Sequence, residues 1–211
     1  MIQLSHLQPF AAGQKRECYV HPEDKDKIIK IIPAHKSPRA LHSQKFWLRR
    51  MLQNPAALDA NRAESEKFEK LEKKFGKLKD KLPYLVEYFG KTQTDLGEGL
   101  VFQAVKNFDG SFSESVLTAS KKKRGYSKPK LLAALKKLAE KTYDGLIFND
   151  VGKNNVVVQV LGANQTNYKL WVVDGINCGP LIPVSEYSSL YANVRKAKKI
   201  FRLKRFIIKN F

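Results

Sequence analysis

Across residues 62–82 the apolar side chains Phe68, Leu71, Phe75, Leu78 and Leu82 recur at steps of three, four, three and four. Only a helix gathers such a set on one face, with Lys and Glu left on the other. Asp59-Ala60-Asn61 just ahead reads as the helix start. The segments around this helix are of the other kind. Cys18-Tyr19-Val20, the turn signal His21-Pro22-Glu23-Asp24 and the β-branched run Lys27–Ile32 read as two paired strands with a turn between them. Tyr84–Gly90 and Gly99–Val105 read as two further strands, separated by the polar turn 93–98. One amphipathic helix set among short strands makes the first half of the chain a strand-rich α+β unit.

Two charged residues sit awkwardly in these elements. Glu64 lies on the apolar stripe, four residues before Phe68, whereas Glu66 and Glu69 point elsewhere at about 100° per residue. A carboxylate on an inner stripe is expensive unless it is paired. In the run KIIKII, Lys27 and Lys30 fall on opposite faces of the strand, so one of them points inward or to the edge. Glu64 is the partner that helix geometry offers to Lys30.

The second half is mainly helical. Lys128–Thr142 carries Leu131, Leu132, Leu135, Leu138 and Ala139 on one face, with Gly145 as a stop. Residues from Ser185 onward are helical by spacing. Between them lie two short strands, Val156–Val160 and Leu170–Val173, joined by the polar loop 162–167. Asp150 and Asn155 stand five apart just ahead of the first strand, and Asp174 follows the second, 19 residues after Asn155. Phosphoryl transfer needs such a set: one carboxylate to orient an acceptor hydroxyl, and an amide with a second carboxylate to hold magnesium on nucleotide phosphates. Residues 40–52 read as a short helix bracketed by Pro33, Pro38 and Pro55.

The chain has 211 residues, of which 43% are hydrophobic, enough for a globular core in one domain or two small lobes. Its two cysteines make no disulfide framework, and no CxxC or Cys/His cluster points to zinc. The first ten residues lack the pattern of a signal peptide, and no apolar stretch approaches a membrane span, so the expectation is a cytoplasmic protein. The net charge is +19. Residues 195–211 carry eight Lys and Arg and no acid, and Lys121-Lys122-Lys123-Arg124 forms a second basic run. Such an excess attracts polyanions: nucleic acid, an anionic membrane surface or a phosphorylated glycan.

The order of elements is that of a protein-kinase-like fold, and the chain resembles the YrbL family, named for the PhoP regulatory network, within the kinase-like superfamily. The resemblance is carried by Gly13-Gln14-Lys15-Arg16-Glu17-Cys18-Tyr19-Val20-His21-Pro22-Glu23-Asp24, Ile29-Lys30-Ile31 and Asn61-Arg62-Ala63-Glu64. It continues through Tyr88-Phe89-Gly90, Thr94-Asp95, Gly99-Leu100-Val101, Phe108-Asp109-Gly110, Asn155, Asp174 and Lys204-Arg205-Phe206-Ile207. Similarity to bacterial lipopolysaccharide sugar kinases is more distant.

The resemblance implies a small β-rich N-lobe with one helix over residues 1–106 and a reduced, mainly helical C-lobe over 107–211. It implies ATP and Mg2+ as cofactors. Lys30 resembles the lysine that binds the α- and β-phosphates, paired with Glu64. Asp150 resembles the catalytic-loop aspartate, while Asn155 and Asp174 resemble the two magnesium ligands. Gly13 lies where the phosphate-covering loop belongs, with one glycine in place of three. Phe148-Asn149 replaces His-Arg before Asp150. Gly152 stands where kinases carry a lysine, and Lys153 follows it as a substitute. Asp174 is followed directly by Gly175, no Ala-Pro-Glu element is present, and the second lobe is short.

These departures favour a small-molecule or glycan acceptor over a protein substrate, and the distant similarity to lipopolysaccharide sugar kinases implies a lipopolysaccharide-core sugar as one such acceptor. The basic C-terminal helix, with Val194, Ala197, Ile200, Phe201 and Leu203 as its apolar side, would recruit an anionic acceptor or the inner membrane surface. Two alternatives stay open: a pseudokinase that binds nucleotide without turnover, and a basic nucleic-acid-binding protein.

Overall fold

The computed structural model describes residues 1–13, 15–34, 59–76, 78–122, 125–142, 151–163, 167–174 and 189–211. The chain divides into two compact units, Met1–Gly76 with Glu87–Ala104, and Lys77–Val86 with Val105–Phe211.

The first unit is a five-stranded antiparallel sheet. Its strands are β1 (Ala11–Ala12), β2 (Glu17–Val20), β3 (Lys27–Ile31), β4 (Tyr88–Thr94) and β5 (Gly97–Gln103), in the order β1-β2-β3-β5-β4. Helix α1 (Ala60–Phe75) is inserted between β3 and β4. It begins where Asp59 caps it: the Asp59 side chain accepts from the backbone N–H groups of Asn61 and Arg62. It ends at Gly76, whose φ of 75° is open to glycine at little expense. The single helix expected to run on to residue 82 is therefore wrong in extent. Leu78 and Leu82 continue the apolar spacing but belong to a separate short helix, α2 (Leu78–Lys81), in the second unit.

Alternation in β3 divides the sheet into two faces. Ile29 and Ile31 join Leu4, Tyr19 and Val101 in an apolar cluster. The terminal segment is held there by Asp95, whose carboxylate accepts from the N–H groups of Leu4 (2.6 Å) and Ser5 (3.1 Å). Lys30 and Leu100, paired across β3 and β5, take the other face, where α1 lies. The polar stretch 93–98, expected as a turn, mostly continues the strands, leaving Asp95-Leu96 as the turn. The Thr94 hydroxyl makes this possible by donating to the Gly97 carbonyl (2.6 Å) and accepting from the Leu96 N–H (3.2 Å).

The second unit carries a three-stranded antiparallel sheet, β6 (Glu114–Ser115), β7 (Val156–Val160) and β8 (Tyr168–Val172), in chain order. Helices α3 (Val116–Lys122), α4 (Lys128–Thr142) and α5 (Ser189–Asn210) complete it. Leu131, Leu135 and Leu138 of α4 are buried, as their spacing predicts, and so are Leu203 and Ile207 of α5. The helix expected over residues 40–52, Gly145 and Asp150 lie outside the described residues.

Candidate functional site

The first unit contributes a buried ion pair. Lys30 and Glu64 are 4% and 1% exposed, and Lys30 Nζ donates to Glu64 Oε1 at 3.4 Å. Pleat and helix period together produce this meeting. Lys30 shares its face of β3 with Ile28, and Glu64 shares its stripe of α1 with Asn61 and Phe68. Asn61 ties helix to strands: its side-chain amide donates to the carbonyls of Lys30 (3.2 Å) and Glu98 (3.3 Å). Beneath the pair lie three aromatic rings. Phe68 sits 5.0 Å from Tyr88 and 5.4 Å from Phe102, and Lys30 Nζ is 4.0 Å from the Phe102 centroid. Burial, and then the charge of Glu69, push the Tyr88 hydroxyl up to about 12.

A third member of this cluster escaped the sequence reading. Arg16, at the end of the β1–β2 turn, donates through a guanidinium nitrogen to Glu64 Oε2. One buried carboxylate thus serves two cations, one on each oxygen. No periodicity marks a turn arginine for such a contact; its only sequence signal was its place beside Gly13. Gly13 closes the same turn, with its N–H donating to the Arg16 carbonyl at 2.8 Å. A methyl group at Gly13 would make only an ordinary 3.6 Å contact with that carbonyl, so the described protein does not itself demand glycine there.

In the second unit, Asn155 and Asp174 stand at one end of the β7–β8 pair. Val156 pairs with Val172, and the Val173 N–H donates to the Asn155 carbonyl at 2.9 Å. The Gly152 carbonyl accepts from the N–H groups of Asn155 (3.0 Å) and Val156 (3.1 Å), a tight turn that delivers Asn155 to the head of β7. An amide oxygen and a carboxylate are the hard donors that magnesium takes, so the residues present fit the ion. Lys153 is exposed, with Nζ 4.8 Å from the Phe206 ring. The structure therefore brings Lys30 to Glu64, and Asn155 to the strand end that leads into Asp174.

The strand order, the helix inserted between the third and fourth strands, and a third-strand lysine paired with a glutamate of that helix define a kinase-like α+β protein. The chain belongs to the family described as PhoP regulatory network protein YrbL, which it matches over residues 2–209. It is 28% identical over 210 residues to the uncharacterized protein YrbL of Escherichia coli (strain K12), covering 98% of this chain and 87% of that one. The same figures hold for YrbL of Shigella flexneri. Among solved structures, the kinase domain of PknI from Mycobacterium tuberculosis is 11% identical, with a TM-score of 0.44 over 82% of this chain and 59% of that one. A single-site variant of that domain gives 13% identity and a TM-score of 0.45, also with 59% of its length covered. The chain thus spans about three fifths of the kinase domains it matches. The fold assignment stands on the strand order and the inserted helix.

Proposed function

We propose that this chain is a kinase-like phosphotransferase that moves the γ-phosphoryl group of ATP, in the presence of Mg2+, to a hydroxyl of an anionic acceptor such as a glycan or a lipopolysaccharide-core sugar. The observation that carries the reading is the buried Lys30–Glu64 pair, a strand lysine held by a carboxylate of the inserted helix, which is the kind of pair kinases use toward nucleotide phosphates. Lys30 would bind the α- and β-phosphates, with Glu64 fixing its direction. Asn155 and Asp174 would hold magnesium, which supplies charge neutralisation on the phosphates. Asp150 would accept the proton of the acceptor hydroxyl as its oxygen bonds to the γ-phosphorus and the bond to the β–γ bridging oxygen breaks. Gly13 and Lys153 are the remaining nucleotide contacts in this reading. The basic segment 195–211 would attract the acceptor.

A second reading is a pseudokinase that binds nucleotide without turnover. It is favoured by Arg16, which engages the same carboxylate as Lys30, and by Gly152 in place of the catalytic-loop lysine. Thermal shift with ATP, with and without magnesium, tests nucleotide binding in wild type and Asp174→Ala. Stabilisation that requires both magnesium and Asp174 is expected; a flat response in every condition would sink both readings. Loss of ATP turnover in Asp150→Asn then separates the enzyme from the pseudokinase.

A further inference from the structure

Helix α5 is buried along one side and apolar again on the other. Leu203 and Ile207, at 2% and 0% exposure, anchor it in the second unit. Leu203 therefore cannot belong to an outward apolar side, as its sequence neighbourhood suggested. The outward residues are instead Val194, Phe201 and Ile208, which are 58%, 57% and 46% exposed. They stand seven apart, and since a heptad falls only about 20° short of two full turns, they form one stripe along the helix. Lys198, Arg202, Arg205 and Lys209 border it on one side and Lys204 on the other, all exposed. The Arg205 guanidinium lies 6.0 Å from the Phe201 ring centroid. No acid occurs from residue 195 to the end of the sequence.

We infer that the outward face of α5 is an interfacial helix that docks on an anionic lipid bilayer, lying in the membrane plane. This goes beyond the phosphotransfer reading and does not depend on it. An apolar stripe between long cationic side chains matches what an interface offers, an acyl boundary beneath a negatively charged layer. Lysine and arginine stems can lie along the apolar surface while their charges reach the headgroups. Bare polyanions fit less well. RNA phosphates would use the cations but leave Val194 and Ile208 exposed, since single-strand binding relies on flat stacking rings. No helix among the described residues is long and apolar enough to cross a membrane, so α5 would lie on the bilayer.

The test is co-sedimentation of the full chain, without nucleotide, with vesicles of phosphatidylglycerol and phosphatidylcholine and with vesicles of phosphatidylcholine alone. Binding is expected to the anionic vesicles and to be weak on the neutral ones. Phe201→Glu combined with Ile208→Glu should weaken anionic binding by about tenfold or more, and each of Lys198→Ala and Arg205→Ala by about fivefold. Because these positions are exposed, thermal melting should be unchanged, which separates lost docking from lost folding. A Phe201→Trp variant should show blue-shifted emission and quenching by brominated lipid when anionic vesicles are added. No binding to anionic vesicles at low salt would overturn the proposal. So would binding indifferent to the double glutamate variant, which is charge adsorption alone. RNA binding that shares the glutamate sensitivity, or a concentration-dependent dimer abolished by Phe201→Glu, would assign the face to another occupant and overturn it as well.

Discussion

The two faces of the five-stranded sheet are built by the same strands and are buried to nearly the same depth, yet they hold opposite chemistry. Ile29 and Ile31 are fully buried on one face, and Lys30 between them is 4% exposed on the other. The apolar face gains from every methyl group removed from water. The charged face loses the hydration of its charged side chains, and the Lys30–Glu64 and Arg16–Glu64 contacts offset part of that loss. A sheet that needed stability alone would do as well with apolar groups on both faces. Stability alone therefore gives no reason for the charged face, and each face should fail in its own way.

The largest effect is expected from Glu64→Ala. It leaves Lys30 buried without its carboxylate and should destabilise the first unit by about 3–5 kcal/mol, read from urea unfolding. Glu64→Gln preserves shape and should be milder, yet it should lose the ATP-dependent thermal shift as fully as Lys30→Ala does. A Gln variant that keeps the ATP response would remove the distinction between the faces. On the opposite face Ile31→Ala should be destabilising by about 2–5 kcal/mol through the cavity it leaves. The ATP shift should persist in that variant at temperatures where it stays folded. Loss of the shift there would mean that ATP response follows stability and not the ion pair.

A smaller effect separates packing from charge more finely. Gly99 pairs with Ile31 on the apolar face, and a methyl group there would lie 2.5 Å from Ile29 Cγ2 and 2.6 Å from Ile31 Cδ1. Both neighbours are β-branched and stiff. Gly99→Ala should therefore lower stability by about 1–3 kcal/mol by overpacking. Chemical denaturation of the single variant, and of Gly99→Ala combined with Ile31→Val, checks this. The second change should relieve part of the loss, and a purely additive result would place the fault elsewhere.

The charged face was legible because two local periods specify it. Strand alternation forced a choice between Lys27 and Lys30, and helix angle put Glu64 on the stripe of Phe68. The strand pair with Asn155 and Asp174 at one end was legible for the same reason, since apolar runs and their polar borders are contiguous in sequence. Arg16 was not, because a turn residue has no period and its partner lies 48 positions away. The end of α1 was misplaced because Leu78 and Leu82 continue the spacing past Gly76, where the backbone turns aside. Strands β4 and β5 were read at their right length but displaced away from their turn, because Gln93, Thr94 and Glu98 are polar, and the Thr94 hydroxyl that tightens the turn acts only once the hairpin exists. The outward face of α5 was blurred because that helix is apolar on two sides, and spacing alone does not say which side the core takes. Family membership was legible across the whole chain and is borne out over residues 2–209.

The smallest and most conditional effect lies at the border of the apolar face, where Asp95 fastens the terminal segment over Ile29 and Ile31. Hydrogen bonding by the Ser5 hydroxyl, and then by the Leu4 N–H, holds its carboxyl down at about 2, below the ordinary 3.8. A depressed carboxyl contributes stability that is fully present above its unfolded value and is lost as pH falls through the folded one. The Asp95 contribution should therefore be constant above about pH 5, shrink progressively below it and vanish only by about pH 1. Thermal melts of wild type and Asp95→Ala between pH 6 and pH 2, at roughly 0.1 M salt to limit general charge repulsion, read this directly. The two curves should run apart near neutrality and converge on acidification. Curves that stay parallel throughout would show that the clamp is steric, made by Leu4 filling its place against the sheet, with the carboxylate a bystander. The apolar face would then be apolar to its edge, in contrast to the face that carries Lys30, Glu64 and Arg16.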